Sequence, residues 1–325
     1  MINNSYSFGM TSQLSKSITN LRERMDTVSN EAVTGRVSDP TKHLSGNIGD
    51  AMLSQKALED IDRDTNRLKL RETRLDLTQQ SLTRIQEGLS GISTRAMNAV
   101  SFTSEAEWNA ISSDARSHLD ASLAALRLRH GERYLFSGDA TSSSPVPDTE
   151  TLLAEIETLI ADASDGEDLN NRLDAFFDPQ TGDWATRLYQ GTAEASQDDA
   201  VTAVDPAIIK TIRSLAVLAH SGPGDALEGL SGHAEARTNA ANLLSTAETE
   251  MTDLRAATGI QQQRVSESLD GLAQEKTILS SLFNQMTAKD QYEAAAELKS
   301  LEASLEASYM LTARLSQLTL MNFLR

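Results

Sequence analysis

The chain has 325 residues and no cysteine, and its 29 basic and 47 acidic side chains leave a formal charge of −18. Absent cysteine excludes disulfides, thiolate metal sites and cysteine nucleophiles together; the acidity argues against a nucleic-acid partner, because phosphate binding needs clustered Lys and Arg; and no apolar run approaches the ~18 residues of a membrane span. With only 6 prolines, 17 glycines and 4% aromatics, the composition suits long helices better than a compact β or α/β core.

In chain order, Met1 to Met10 carries neither the basic start nor the apolar stretch of a cleavable signal. Leu14, Ile18, Leu21, Met25, Val28 and Ala32 then alternate between steps of four and three, the a/d seam of a coiled coil. Gly35 and Asp39-Pro40 break this helix. A second is predicted from near Asn47, where Ile61, Leu68, Leu75, Leu82, Leu89 and Ala96 fall seven apart and Ile85, Ile92 and Ala99 fill the alternate seam positions. After a short break around Ser101–Glu105, Trp108, Ile111, Ala115, Leu119, Leu123 and Leu126 extend the pattern to about Arg129.

The middle of the chain differs. Residues 139–235 carry 19 acids and 4 bases, a net of −15, and hold five of the six prolines; the rest of the chain is nearly neutral. Leu152, Leu153, Ile156, Leu159 and Ile160 predict one short helix, and Ile208, Ile209, Ile212, Leu215 and Leu218 another, with Asp205-Pro206 as its N-cap and first-turn proline. A few strands are expected near 184–204. From about Ala236 a long helix is predicted almost to the end, with one seam at Val265, Leu269, Leu272, Leu279, Leu282 and Met286. After a phase shift follow Leu298, Leu301 and Leu305, then Leu311, Leu315 and Leu318. The expected fold is therefore mainly α: a long antiparallel helical coiled-coil rod from both chain ends, with a small acidic α+β insert domain at the tip. The domains read as an N-terminal arm (1–138), a variable acidic insert (139–235) and a C-terminal arm (236–325).

Chemistry is scarce in this pattern. The five histidines, His43, His118, His130, His220 and His233, lack zinc-ligand spacing. Setting Gly166 at position six of a calcium loop places Ala161 and Ala163 where the first carboxylates belong, so Asp162–Asp168 reads as a solvated acidic turn. No phosphate loop or nucleophile elbow exists. No catalytic residue, cofactor site or metal site is expected, and the protein is not expected to be an enzyme.

The chain ends are more specific. Glu306-Ala307-Ser308-Tyr309, then Leu315-Ser316-Gln317-Leu318, Leu320 and Asn322-Phe323-Leu324 closely resemble the C-terminus of bacterial flagellins and flagellin-like hook-associated proteins. Leu14 to Ala32 followed by Thr34-Gly35-Arg36 is similar to that family's first helix and turn. The resemblance covers both arms, roughly 1–138 and 236–325. Within it, Gly131-Glu132-Arg133-Tyr134-Leu135-Phe136-Ser137-Gly138 is similar to a signature of the hook–filament junction proteins, the hook-associated protein 3 family. Asp183-Trp184 and Tyr189-Gln190-Gly191 also suit that branch.

The resemblance implies a structural subunit of the bacterial flagellum, outside the cell, exported unfolded through the flagellar type III channel without a cleavable signal. It implies that residues 1–45 are partly disordered in the monomer, and that the terminal segments, about 300–325 included, fold on assembly by burying their seams against neighbouring subunits. The assembly interface it points to comprises Leu14, Ile18, Leu21, Met25, Val28, Leu301, Leu305, Tyr309, Leu311, Leu315, Leu318, Phe323 and Leu324; the family signature comprises Arg133, Tyr134, Leu135, Phe136 and Gly138. The implied partners are further copies in a ring, another hook-associated protein on the hook side, flagellin on the filament side and an export chaperone, with no nucleic acid and no membrane span. Filament flagellin and, more remotely, a cytoplasmic coiled-coil scaffold are the competing readings.

Overall fold

A computed structural model describes the backbone of residues 3–39, 44, 48–101, 105–192, 195 and 200–323, and the side chains within that range from 13 to 314 except that of residue 101. The fold is mainly α. Helices α1 (Asn3–Thr34), α2 (Ile48–Gln86), α3 (Leu89–Ser101) and α4 (Glu105–Leu126) precede a two-stranded hairpin, β1 (Arg129–His130) and β2 (Arg133–Tyr134). Then come α5 (Thr149–Asp162), α6 (Gly166–Phe176), α7 (Pro206–Leu218), α8 (His233–Thr287) and α9 (Gln291–Phe323). The chain divides into two compact units, Met1–Asn66 with Asp270–Arg325, and Arg67–Leu269.

In the Arg67–Leu269 unit the seven-residue repeat is the core. Leu75, Leu82, Ile85, Leu89, Ile92, Ala96 and Ala99 are all buried, as are Trp108, Ile111, Ala115, Leu119, Leu123 and Leu126. The repeat runs unbroken through the gap between α2 and α3, where Gly88 takes φ +88° beneath the His118 ring. A side chain there would meet both the imidazole and a left-handed backbone. Residues 139–235 do not form a core of their own. Leu152, Ile156, Leu169, Trp184, Ile208 and Leu215 share one continuous apolar cluster with α3, α4 and the start of α8. The division by composition thus marks where charge sits and not where packing ends. None of the described acidic side chains in 139–235 is buried, consistent with a solvated face around an apolar interior.

Local signals set the helix starts in this region. Asp148 Oδ1 accepts from Thr151 N at 2.7 Å, Asp165 Oδ1 from Asp168 N at 2.9 Å, and Asp205 Oδ1 from Ala207 N at 3.0 Å ahead of Pro206. Each satisfies a donor the helix leaves unpaired. The strands expected near 184–204 are not formed among the described residues. Trp184–Leu188 is instead a π-helical turn, and the segment after it runs against 134–138 through single hydrogen bonds that build no ladder. The insert's described residues are therefore helices and turns, a correction to the expected α+β character.

The predicted C-terminal helix is also corrected: it is two helices. Arg36 pairs with Ala288 as an isolated antiparallel bridge, with Val37 N donating to Thr287 O and Lys289 N to Gly35 O, both at 3.0 Å. Asp290 Oδ1 then accepts from Tyr292 N and caps α9. The break falls where the hydrophobic pattern shifts phase. Just before it, Phe283 is half-buried while Leu282 is exposed, so the seam there passes through the phenylalanine.

Candidate assembly interface and signature turn

Helices α1 and α9 run antiparallel and meet along the predicted seam. Val28, Ala294 and Leu301 are buried together, with Leu21, Ala32 and Leu298 packed against them. Leu14, Ile18 and Met25 lie on the same half-buried face of α1, and Leu305 on that of α9. The face is fixed by the 4-3 spacing, since positions three and four apart stack on one side of a helix. Burying a Val or Leu side chain is worth about 1.5–3 kcal/mol, whereas an exposed ion pair contributes about 0–1 kcal/mol. The pairing therefore rests on Val28 and Leu301 more than on Arg24 Nη2–Glu297 Oε1 at 3.1 Å. The expectation that each seam is covered only by neighbouring subunits is corrected here, because in one chain the two seams cover each other.

Beyond Leu305 the seam does not follow the leucines. The half-buried positions are Ser308 and Thr312, which continue the 4-3 steps from Leu301, while Leu311 is 54% exposed and Met310 57%. The predicted shift of the seam onto Leu311 is thus corrected. Tyr309 is half-exposed, and its phenol oxygen accepts from Arg22 Nε at 3.0 Å and from Arg22 Nη2. The arginine also lies over the ring, 5.7 Å from its centroid. The backbones of Leu315, Leu318 and Phe323 belong to α9, but their side chains, and all of Leu324, lie outside the described residues.

The signature residues occupy a different place, in the Arg67–Leu269 unit. Gly131 turns the β1–β2 hairpin at φ +63°, pairing Arg129 with Tyr134 and His130 with Arg133. The Arg129 guanidinium lies 5.0 Å from the Tyr134 ring centroid, and Arg133 Nε donates to Thr141 Oγ1 at 3.2 Å. Leu135 and Phe136 then enter the core, Phe136 completely. The backbone of this turn is a landing strip for the segment after Trp184. Phe136 O accepts from Ala203 N at 3.0 Å, and Ser137 O from Thr192 N at 3.0 Å. The Tyr189 hydroxyl lies within donating distance of Phe136 O and Thr192 O, and Trp184 Nε1 donates to Ala203 O at 3.2 Å.

Burial pushes the Tyr189 phenol well above its ordinary range, so it stays a neutral donor. Gly138, at φ +60°, abuts Thr192 O, and Gly191 abuts the Tyr189 ring and Ser137 O. Thr192 and Ala203 carry no sequence signal of this role, because their contribution is backbone. Both parts of the structure are organised for packing. Among the described residues no group of three or more His, Cys, Asp or Glu side chains is placed to hold a metal ion.

Residues 241–324 match the family model of the bacterial flagellin C-terminal helical region. The C-terminal part of the chain is therefore similar to the C-terminal helical region of bacterial flagellins. The match spans most of α8 and all of α9, and so includes the seam residues Leu301 and Leu305 and the Arg22 partner Tyr309. Among solved structures, a crystal structure of Bacillus cereus FlgL is similar over 75% of this chain and 96% of its own, at 17% identity and a TM-score of 0.34. No curated protein matches the sequence. Among the described residues no helix is long and apolar enough to cross a membrane.

Proposed function

We propose that this chain is a flagellin-family protein, a structural component of the bacterial flagellum, and within it the junction subunit between hook and filament. The observation that carries this reading over filament flagellin is the turn Gly131–Gly138 (Gly-Glu-Arg-Tyr-Leu-Phe-Ser-Gly) and its partner Tyr189-Gln190-Gly191. They are sequence neighbours of no kind, yet they are hydrogen-bonded to each other. A ring of subunits would adapt the lattice of a hook-side associated protein to that of flagellin on the filament side. The chain would leave the cell unfolded through the type III export channel, held by a chaperone beforehand, and catalyse no reaction. Its interface would be built from Leu14, Ile18, Leu21, Met25 and Val28 on α1 and from Leu301 to Leu324 at the other end. Among the described residues, the apolar side chains that α1 and α9 bury between them are Val28, Ala294 and Leu301, while Leu14, Ile18 and Leu305 stay half-buried and Met310 and Leu311 exposed. A neighbour would complete their burial, so ordering the helices and joining it would be coupled events.

Immunogold labelling of intact flagella with an antibody against residues 139–235 tests the assignment. A single narrow band at the hook end is the expected result. Label along the whole filament would make the chain a flagellin, and label confined to the cell interior would return it to a coiled-coil scaffold.

A further inference from the structure

Ser214 stands one helical turn from the end of α7, fully buried, and its Oγ has no hydrogen-bond partner. Thr211, three residues earlier on the same helix, shows the ordinary solution for a hydroxyl in this position: its Oγ1 donates back to Ala207 O at 2.8 Å. Ser214 does not do this with the carbonyl of Lys210. Ser214 is one of the residues lining a cavity of about 20 Å³ between α6, α7 and α8. Leu173 and Val217 give that cavity apolar walls, while Asn170, Arg213 and Asn239 bring polar ones.

We propose that this cavity is a binding site for one ordered water molecule, which bridges the Ser214 hydroxyl to polar groups of α6 and α8. Size selects the ligand, because a site needs only about 10–15 Å³ of such space to hold a water and this one is too small for an anion or an organic molecule. Chemistry agrees. A buried water requires two to four polar partners, and Ser214 Oγ supplies an unmet donor and acceptor. Asn170 has its Nδ2 committed to Gly166 O at 2.8 Å, which leaves its amide oxygen as an acceptor. The Arg213 guanidinium is anchored alongside by Asn170 O at 3.3 Å and by Asp174, and the exposed Asn239 amide stands at the mouth. A buried hydroxyl left unmet costs stability, and a bridging water removes that cost while tying three helices at one point.

The test uses the full chain. A high-resolution crystal structure should show a water within hydrogen-bonding distance of Ser214 Oγ, and Ser214→Ala should lose it. Thermal unfolding of Ser214→Ala should then fall about 2–4 °C below wild type, the shift for one lost hydrogen bond in a unit of this size. The gain in helix propensity is subtracted with Ser266→Ala, at an exposed serine of α8. A dry cavity, a Ser214 hydroxyl bonded to Lys210 O, or a corrected stability equal to or above wild type would overturn the proposal, because a dry, unmet hydroxyl predicts that its removal stabilises the fold.

Discussion

Arg22 and Tyr309, 287 residues apart in the chain, hold each other by guanidinium-to-phenol hydrogen bonds across the α1–α9 pair. The contact is at the surface, whereas Val28, Ala294 and Leu301 are buried nearer the Arg36–Ala288 bridge. Deleting residues 306–325 therefore removes the Arg22 partner and spares the buried contacts. The truncated chain is expected to keep a melting temperature within a few degrees of wild type while failing to polymerise. Electron microscopy of flagella from cells carrying only the truncation checks this, and complete flagella would refute the interface assignment.

Gly131 and Gly138 separate two costs that are usually mixed. Both sit at positive φ, but a side chain at Gly131 meets open space, while one at Gly138 collides with the Thr192 carbonyl. Gly131→Ala is expected to cost about 1 kcal/mol from backbone strain alone. Gly138→Ala should cost about 2–4 kcal/mol, since the 189–192 segment must also shift. Chemical denaturation of both variants measures the difference, and equal losses would mean that the signature turn does not hold that segment.

His220 should make the fold acid-sensitive. Its ring is buried, with Nε2 3.2 Å from Leu153 O, and burial lowers its pKa, opposed by that hydrogen bond and by Asp225 and Glu157 and assisted by Arg116. The unfolded chain takes up a proton near the ordinary histidine pKa of about 6.5, and the folded chain does so only at lower pH. Stability is thus full above about pH 6.5 and declines as pH falls below it, levelling off once the folded form also protonates. Replacement by Gln, whose amide can still donate to Leu153 O, should flatten that part of the profile when unfolding is followed from pH 8 to pH 5.

Asp205 has the opposite sign. Burial raises its carboxyl above the usual range, against the pull of the Ala207 amide, and Glu250 adds a smaller push in the same direction. The charged form is therefore disfavoured in the folded state, a penalty present above the folded pKa and gone once pH drops below the unfolded value of about 3.9. Asn is an equally good N-cap. Asp205→Asn should raise stability at pH 7 and lose that advantage toward pH 4, as comparative melting curves across this range would show. A loss of stability at pH 7 would mean that the charge itself is needed at the cap.

Much of this architecture was legible because the repeat is long. Leu75 to Ala99 stay on one buried face even through the Gly88 break, and an apolar step of seven cannot persist by accident over that length. Legibility fails where the seam becomes polar. Ser308 and Thr312 continue the buried stripe of α9, but leucine at 311 offers a louder and misplaced signal. It fails again at 184–204, where β-like composition meets a segment whose donors are taken singly by Phe136 and Ser137. Sequence periodicity reports which side of an element is dry. It does not report which distant carbonyl receives a backbone proton.

The bridge between Arg36 and Ala288 fixes more than a turn. By joining the end of α1 to the start of α9 through backbone hydrogen bonds, it makes one point of both helices a common zero mark. From that mark Val28 must reach the cluster that it shares with Ala294 and Leu301. The lengths of the two chain ends are therefore not independent quantities. Residues inserted or lost between Val28 and Gly35 would have to be matched between Lys289 and Leu301, so that change at one terminus is inherited as a constraint on the other.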